Sequence, residues 1–484
     1  MRKITAIVVG SICLLTLMMP VFGQEHGSQD EAARRIASSI LINGHVMEYE
    51  TGLANGFGGR LTGSPAYNKA AEWAADQFRA AGIKNVRFEP FTIKHGWLRG
   101  RAWGQMLSPL QRPLHIESLG WTESTPPGGV KGNVVMVSDL SAEKLKADAG
   151  KLRGNIAMLD LAAIFAARSP DAIGQFFQSF KRLQDSGAAA VIVGDSERNN
   201  VLNAFAPSFD TTVPAIPVAQ VGMEDAKLMQ NFMNKGPVTI QFECQNTVSG
   251  PTEVNDVVAE IPGSEHPDEW VIVGAHLDSW DYGTGAKDNG TGTAMVLEAA
   301  RAIATLGRPP RRSIRFALWG GEEEGILGSL AYVKNHDSEL AKCVAVVNTD
   351  NGAGRPKGWK VEGRKDMADA MKQFNSILAG LGGAGISQET TFDTDHGPFM
   401  LHGVPSLDLW LDMTHYGEIH HKSSDTVDKI DVHDLTDDAA IVAVTAYAIA
   451  DGSERIAPQI DHEAVEQILK KADLEGFLKA LGVW

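Results

Sequence analysis

Cysteine is nearly absent from the chain, with three in 484 residues. Cys13 lies inside the leading apolar run and lacks the small residues that precede a lipid-attachment cysteine. Cys244 and Cys343 are then the only others, so the chain holds at most one disulfide, and a bonded pair or two buried thiols fit the sequence equally. Basic residues are in deficit, 44 Lys and Arg against 60 Asp and Glu. A formal charge of −16 makes nucleic acid and anionic lipid poor partners, since both demand a basic surface. Long hydrophobic runs are missing after the first one. DAAIVAVTAYAIA at 438–450 is too short to cross a bilayer and reads as a buried helix.

The leader itself is informative. Met1-Arg2-Lys3 is followed by ITAIVVGSICLLTLMMPVFG, an apolar run that ends in the small residue Gly23, and this predicts a signal peptide over 1–23, with an uncleaved anchor as the alternative. Cleavage removes Arg2 and Lys3 and no acid, taking the formal charge from −16 to −18. The expected product is exported, to the periplasm or the medium, without stable membrane association. Its length predicts two or three domains, and 43% hydrophobic with 21% charged residues describes an ordered globular chain.

Residues 24–45 are polar and helical at best. Ser64-Pro65 opens a helix that runs through AYNKAAEWAADQFRAA and stops at Gly82, and NVRFEPFTI is a strand. STPPGG at 124–129 is a turn-rich joint. Beyond it come two similar strands, KGNVVMV and RGNIAML, a buried strand in RLQDSGAAAVIVGD, and a Pro-limited edge strand in VPAIPVA at 213–219. This block, 127–248, has no cluster of metal ligands and reads as an inserted β-rich binding or lid module.

Strands and helices then alternate: WVIVGAH, NGTGTAMVLEAARAIATL, SIRFALW, GILGSLAYVKNH and CVAVVNTD. The pattern implies an α/β fold with a mostly parallel central sheet and helices on both faces. Residues 24–126 and 249–455 are its expected two parts, and 456–484 a helical extension.

In such a sheet, polar residues just past the strands collect at one edge. His276 and Asp278 follow the first strand of this series, Asp288 opens the next helix, Glu322 to Glu324 follow the second strand and Asp350 the third. Taken singly these are ordinary turns and caps. Their coincidence at successive strand ends gathers like charges that a multivalent cation must neutralise. One His with several carboxylates suits zinc, with manganese or cobalt as substitutes, and a shared carboxylate would fit a two-metal hydrolytic site. EIHHKSSDTVD at 418–428 offers a distal imidazole, His420 or His421.

GAHLDSW, KDNGTG, GGEEEGILGS, NTD, TDHGPF and HHKSSDT, in this order and with GGRLTGSPAYNKA near the start, resemble the co-catalytic zinc exopeptidases. That family includes bacterial leucyl aminopeptidases, glutamate carboxypeptidases and carboxypeptidase Q. RLTGS, the inserted block and His420, which stands where many members carry tyrosine, point to the carboxypeptidase Q-like branch. The resemblance implies two zinc ions, with His276 and Asp350 on separate metals, Asp288 bridging, and Glu323 and His421 as the remaining ligands. It implies Glu322 as general base, Glu324 as an exposed intervening residue, Asp278 as the partner fixing the His276 tautomer, and His420 as the oxyanion donor. Lys287 reads as a solvent-facing loop lysine. The inserted block resembles a protease-associated domain, and the TDHGPF loop, with Asp395 and His396, is expected to line the substrate pocket.

The implied activity is hydrolysis of short peptides, dipeptides above all, as an aminopeptidase or dipeptidase, with carboxypeptidase polarity as the alternative. A single-zinc glutaminyl cyclase-like acyltransferase and a non-catalytic binding protein are the rival readings. The filled ligand and base positions weigh against both. The resemblance alone suggests a homodimer.

Overall fold

Eight strands form the central sheet in the computed structural model, which describes residues 22–161 and 172–484. Apart from Phe22 and Gly23, the expected signal peptide lies outside the described residues. Four middle strands run parallel: Arg312–Trp319, His266–His276, Cys343–Asn348 and Ser406–Leu411. Antiparallel strands flank them, Asn85–Ile93 with Thr252–Ile261 on one side and Pro356–Lys360 on the other, where Gly385–Ser387 forms the edge.

The alternation of side chains along a strand explains why the sequence runs are apolar throughout. Val271, Val273 and Ala275 face the core shared with helices Thr291–Thr305 and Val432–Ala450. Trp270 and Ile272 point the other way, into a cluster with Trp319, Tyr332 and Phe399. Both faces are covered, so neither set can be polar. The apolar run at 438–450 is the interior of the Val432–Ala450 helix, which Asp431 caps by accepting from the backbone N–H groups of His433 and Asp434.

The first described helix, Phe22–Asn43, departs from the polar reading of residues 24–45. Ala32, Ala33, Ile36 and Ile40 recur at helical spacing and are buried in the main core. A four-residue stripe is enough to dock a helix, though its mean composition stays polar.

A second eight-stranded sheet occupies the chain between Ile93 and Thr252, two residues that pair directly in the central sheet. It starts earlier than the joint expected at 124–129, because Ala102–Ser108 pairs with Thr239–Cys244. Strands Val130–Val137, Ile156–Asp160, Ala190–Gly194 and Val218–Val221 are parallel, with separate apolar clusters on their two faces. The strand expected at 213–219 begins only after Pro217. It is also interior, since Ile116–Ser118 pairs along its other side. Cys244 and Cys343 sit in different sheets as buried free thiols.

Two helices, His462–Lys471 and Glu475–Leu481, end the chain. Val465, Leu469 and Leu478 pack on Ile326, Phe392 and Met400, so this extension lies against the Glu322–Glu324 turn and the loop before the TDHGPF segment. Among the described residues no helix is long and apolar enough to cross a membrane.

Candidate metal centre

The C-terminal ends of three of the parallel strands, with the long loop that follows the fourth, deliver the expected residues to one place. His276 is the last residue of its strand, and its Nδ1 donates to the backbone carbonyl of Asp278 at 3.1 Å. A carbonyl only accepts, so Nδ1 keeps its proton and Nε2 is the nitrogen that faces the cluster. Asp278 therefore sets the tautomer through its backbone. Its carboxylate, 3.7 Å from Nδ1, is an ionic neighbour instead, and it accepts from Thr62 at 3.0 Å and from the Glu323 N–H at 3.2 Å.

Between His276 and Asp288 the chain loops out and returns. Arg60, fully buried, holds this loop by donating to the carbonyls of Leu277, Thr284 and Gly285 at 2.8, 2.9 and 2.9 Å. Asp425 accepts from the N–H groups of Lys287 and Asp288 at 2.7 and 3.2 Å, which fixes the peptide that carries Asp288. The Asp288–Asn289 peptide is cis. Gly292 follows because a Cβ there would lie 2.6 Å from the Thr349 carbonyl, and a side chain would keep the helix away from the strand end that carries Asp350.

Asp288 is the centre of the arrangement. Its Oδ1 is 3.4 Å from His276 Nε2 and its Oδ2 is 3.4 Å from His421 Nε2. His276, Asp288 and Asp350 present ligand atoms within 4.8 Å of one another, and so do Asp288, His420 and His421. Asp350 lies 3.5 Å from His276 Nε2, and Glu323 lies 2.9 Å from His421 Nε2. Of the two adjacent histidines, His421 approaches both Asp288 and Glu323, whereas His420 approaches only Asp288, at 3.6 Å, and stacks on His421. Glu322 is 4.0 Å from His276 Nε2.

The electrostatics are those of a crowded buried site. Burial opposes charge on His276, but Asp350, Asp278 and Asp288 outweigh it and hold the imidazole well above its ordinary range. Burial and the charges of neighbouring acids push Glu322 and Glu323 well up, while Asp288 and Asp350 are held down by His276 against their own burial. His420 is pushed down to about 4 by burial and by His421, so it is a neutral donor at ordinary pH.

Among the described residues, three buried atoms of the candidate ligands have no hydrogen-bond partner: His276 Nε2, Asp288 Oδ2 and Glu323 Oε1. Leaving such groups unpaired is costly, and a cation accepting their lone pairs removes the cost. The nitrogen and oxygen donor set thus fits a divalent metal of the zinc type.

Some expectations need correction. Glu324 is fully buried, not exposed; its carboxyl packs against the Asp278 side and is pushed well up by burial and by that charge. Asp395 and His396 do not line the cavity. Asp395 is buried under it, accepting from Ser329 at 2.5 Å, and His396 is enclosed 3.7 Å from Glu362. The loop runs beneath the site and presents Asp393 instead. Lys287 is half-buried in an adjoining cavity, not free in solvent.

Other residues went unrecognised in the sequence. The metal-site cavity, about 360 Å³, is also lined by Phe209 from the second-sheet segment, Tyr416, and Phe477 and Leu481 from the last helix. Tyr416 stays protonated, since burial and the charges of Asp288, Asp350 and Glu323 hold its phenol well above the usual value. It stands four residues before His420, so no adjacent-pair pattern signals it.

A carboxylate shared between two histidine-containing ligand clusters, at the C-terminal edge of a mainly parallel sheet, defines a metallohydrolase architecture. The sequence profile of peptidase family M28 matches residues 256–446. Carboxypeptidase Q of Mus musculus is 30% identical over 407 residues, covering 84% of this chain and 85% of that protein. Human carboxypeptidase Q is equally similar, 30% over 409 residues, with the same coverage. The crystal structure of a peptidase M28 precursor from Shewanella amazonensis SB2B superposes with a TM-score of 0.76 at 29% identity, covering 90% of this chain and 99% of that one. A zinc aminopeptidase from Bacillus subtilis shares the fold at 20% identity, with a TM-score of 0.66 and 86% and 98% coverage. The chain belongs to peptidase family M28 and is a hydrolase of peptide bonds.

Proposed function

We propose that the protein is an exported zinc exopeptidase acting on short peptides, with two zinc ions per chain. His276 and Asp350, which lie 3.5 Å apart in one cluster with Asp288, would hold one ion and Glu323 and His421 the other, with Asp288 shared, which corrects the expectation that His276 and Asp350 serve separate metals. The observation that carries this reading is the position of Asp288, with one oxygen toward His276 and the other toward His421. Bound zinc would supply positive charge that acidifies water and polarises the substrate carbonyl. Glu322 accepts the proton of the attacking water and returns it to the departing amine nitrogen. Its carboxylate lines the cavity and approaches the histidines less closely than the assigned ligands do, which leaves it available to take up and return a proton. His420, neutral, donates to the carbonyl oxygen as negative charge develops there, and Tyr416 is a second neutral donor in the same cavity.

The cavity volume, near the lower end for ligand sites, supports short substrates. The second-sheet segment is read as a protease-associated module that contributes Phe209 to the cavity wall. The test is metal content of the purified protein together with cleavage of a dipeptide panel. Two zinc per chain with dipeptide cleavage is the expected result. One zinc with cyclisation of amino-terminal glutamine would favour the acyltransferase reading, and no metal with no turnover would overturn the proposal.

A further inference from the structure

Five carboxylate residues line the metal-site cavity: Asp288, Glu322, Glu323, Asp350 and Asp393. The first four are the ligands and base assigned above. Asp393 has no such role, and its side chain is open to the cavity because Phe392 before it turns inward and is buried. Among the described residues, no ion pair or hydrogen bond engages its carboxylate. The two cations whose charges reach it are committed elsewhere, Lys360 to Asp408 at 3.1 Å and His396 beside Glu362 at 3.7 Å.

No Lys or Arg is among the described residues lining this cavity. Away from the metal ligands, a substrate carboxylate would therefore meet no cationic side chain and one carboxylate without an ion-pair partner, whereas a substrate ammonium would find a partner. The same cavity has apolar lining, where Phe209 meets Phe477 edge-on with centroids 5.9 Å apart and Leu481 adds to the surface. An amino-terminal residue has the matching pair of features, a cationic amine and a side chain.

We propose that Asp393 receives the free α-ammonium group of the substrate, whose first side chain rests on Phe209, Phe477 and Leu481, so that the enzyme cleaves from the amino end. This rests on the peptidase reading above and fixes its polarity. Asp393 is a binding residue and takes no part in the proton transfers.

The test compares leucylglycine, isocaproylglycine, which is the same molecule without the amine, and lysylglycine, using zinc-loaded wild type and D393N of equal zinc content. Wild type should prefer leucylglycine to isocaproylglycine strongly. In D393N this ratio of kcat/KM should fall about tenfold or more, the loss of one charge contact, and mainly through KM. An unchanged ratio would overturn the proposal. So would a change confined to lysylglycine, which would make Asp393 a reader of basic side chains. If wild type cleaved none of the three, the peptidase reading itself would fail.

Discussion

Asp278 accepts the Glu323 backbone N–H at 3.2 Å, joining the loop after one ligand strand to the turn after the next. The same carboxylate accepts from Thr62 and lies 3.4 Å from the Glu322 N–H, so one residue positions the base and a ligand together. D278N keeps the shape but offers one acceptor oxygen, and its amide would face an N–H donor. Zinc affinity should fall about 10- to 100-fold, as for other supporting residues around metal ligands, and chelator competition measures it. Unaltered affinity would mean that the turn holds itself in place.

Among the assigned ligands and base, Glu322 is the acid least engaged with the histidines, at 4.0 Å from His276, yet it lines the cavity. E322Q removes the proton acceptor while preserving size and the neighbouring ligands. Turnover should drop by about 10²- to 10⁴-fold with zinc content and melting temperature little changed. Near-normal rates in E322Q would reassign the base.

Much of this site was legible because parallel strands end where ligands bind, so an apolar run followed by His276, Glu322 or Asp350 carries its own address. The strand Asn85–Ile93 agrees with its sequence pattern residue for residue. What stayed hidden depends on contacts between distant segments. Phe477 and Leu481 read as an ordinary amphipathic terminus, and nothing local reveals that they close a cavity with Phe209. Glu324 read as exposed because charge in a turn usually is. Its buried neighbours are Asp278 and Thr62, the latter more than 250 residues away in the chain.

The pH dependence of the metal-free protein follows from groups pushed up. Burial, with Asp278 and Asp350 beside it, pushes Asp395 up to about 7, and Glu322, Glu323 and Glu324 move in the same direction. An unfolded carboxyl ionises near 4, so between about 4 and 7 the folded state holds protons that the unfolded chain has released. Stability therefore falls as pH rises through that window. Asp288 and Asp350 are held down, so their opposite contribution is complete above about 4 and does not vary within it. His420, pushed down to about 4, and His421, also pushed down, oppose this loss below about 6.5, where only the unfolded chain binds their protons, so chelated protein should show the loss of stability as pH rises from about 6.5 to 7.5. Zinc-loaded protein should not, because a bound cation favours the ionised ligands. Parallel melting curves with and without chelator check this, and curves that responded to pH identically would show that these acids are not ionising at the metal site.

Arg60 makes the strongest case for a structural residue acting on the chemistry. Its guanidinium donates to Gly58, Leu277, Thr284 and Gly285, and its backbone exchanges hydrogen bonds with Ser279, all around the loop that separates His276 from Asp288. Glu50 is buried nearby, and its carboxyl is pushed well up by burial despite the arginine charge. Lysine carries the same charge but cannot reach carbonyls in these directions with one compact ammonium. Removing two or more charged hydrogen bonds inside the core should cost about 3 kcal/mol or more. The loop would loosen at both ends, so R60K should lower melting temperature and zinc affinity together, while D278N lowers chiefly the latter. If R60K melted with wild type and held zinc as tightly, the loop would owe its shape to the Asp425 contacts alone.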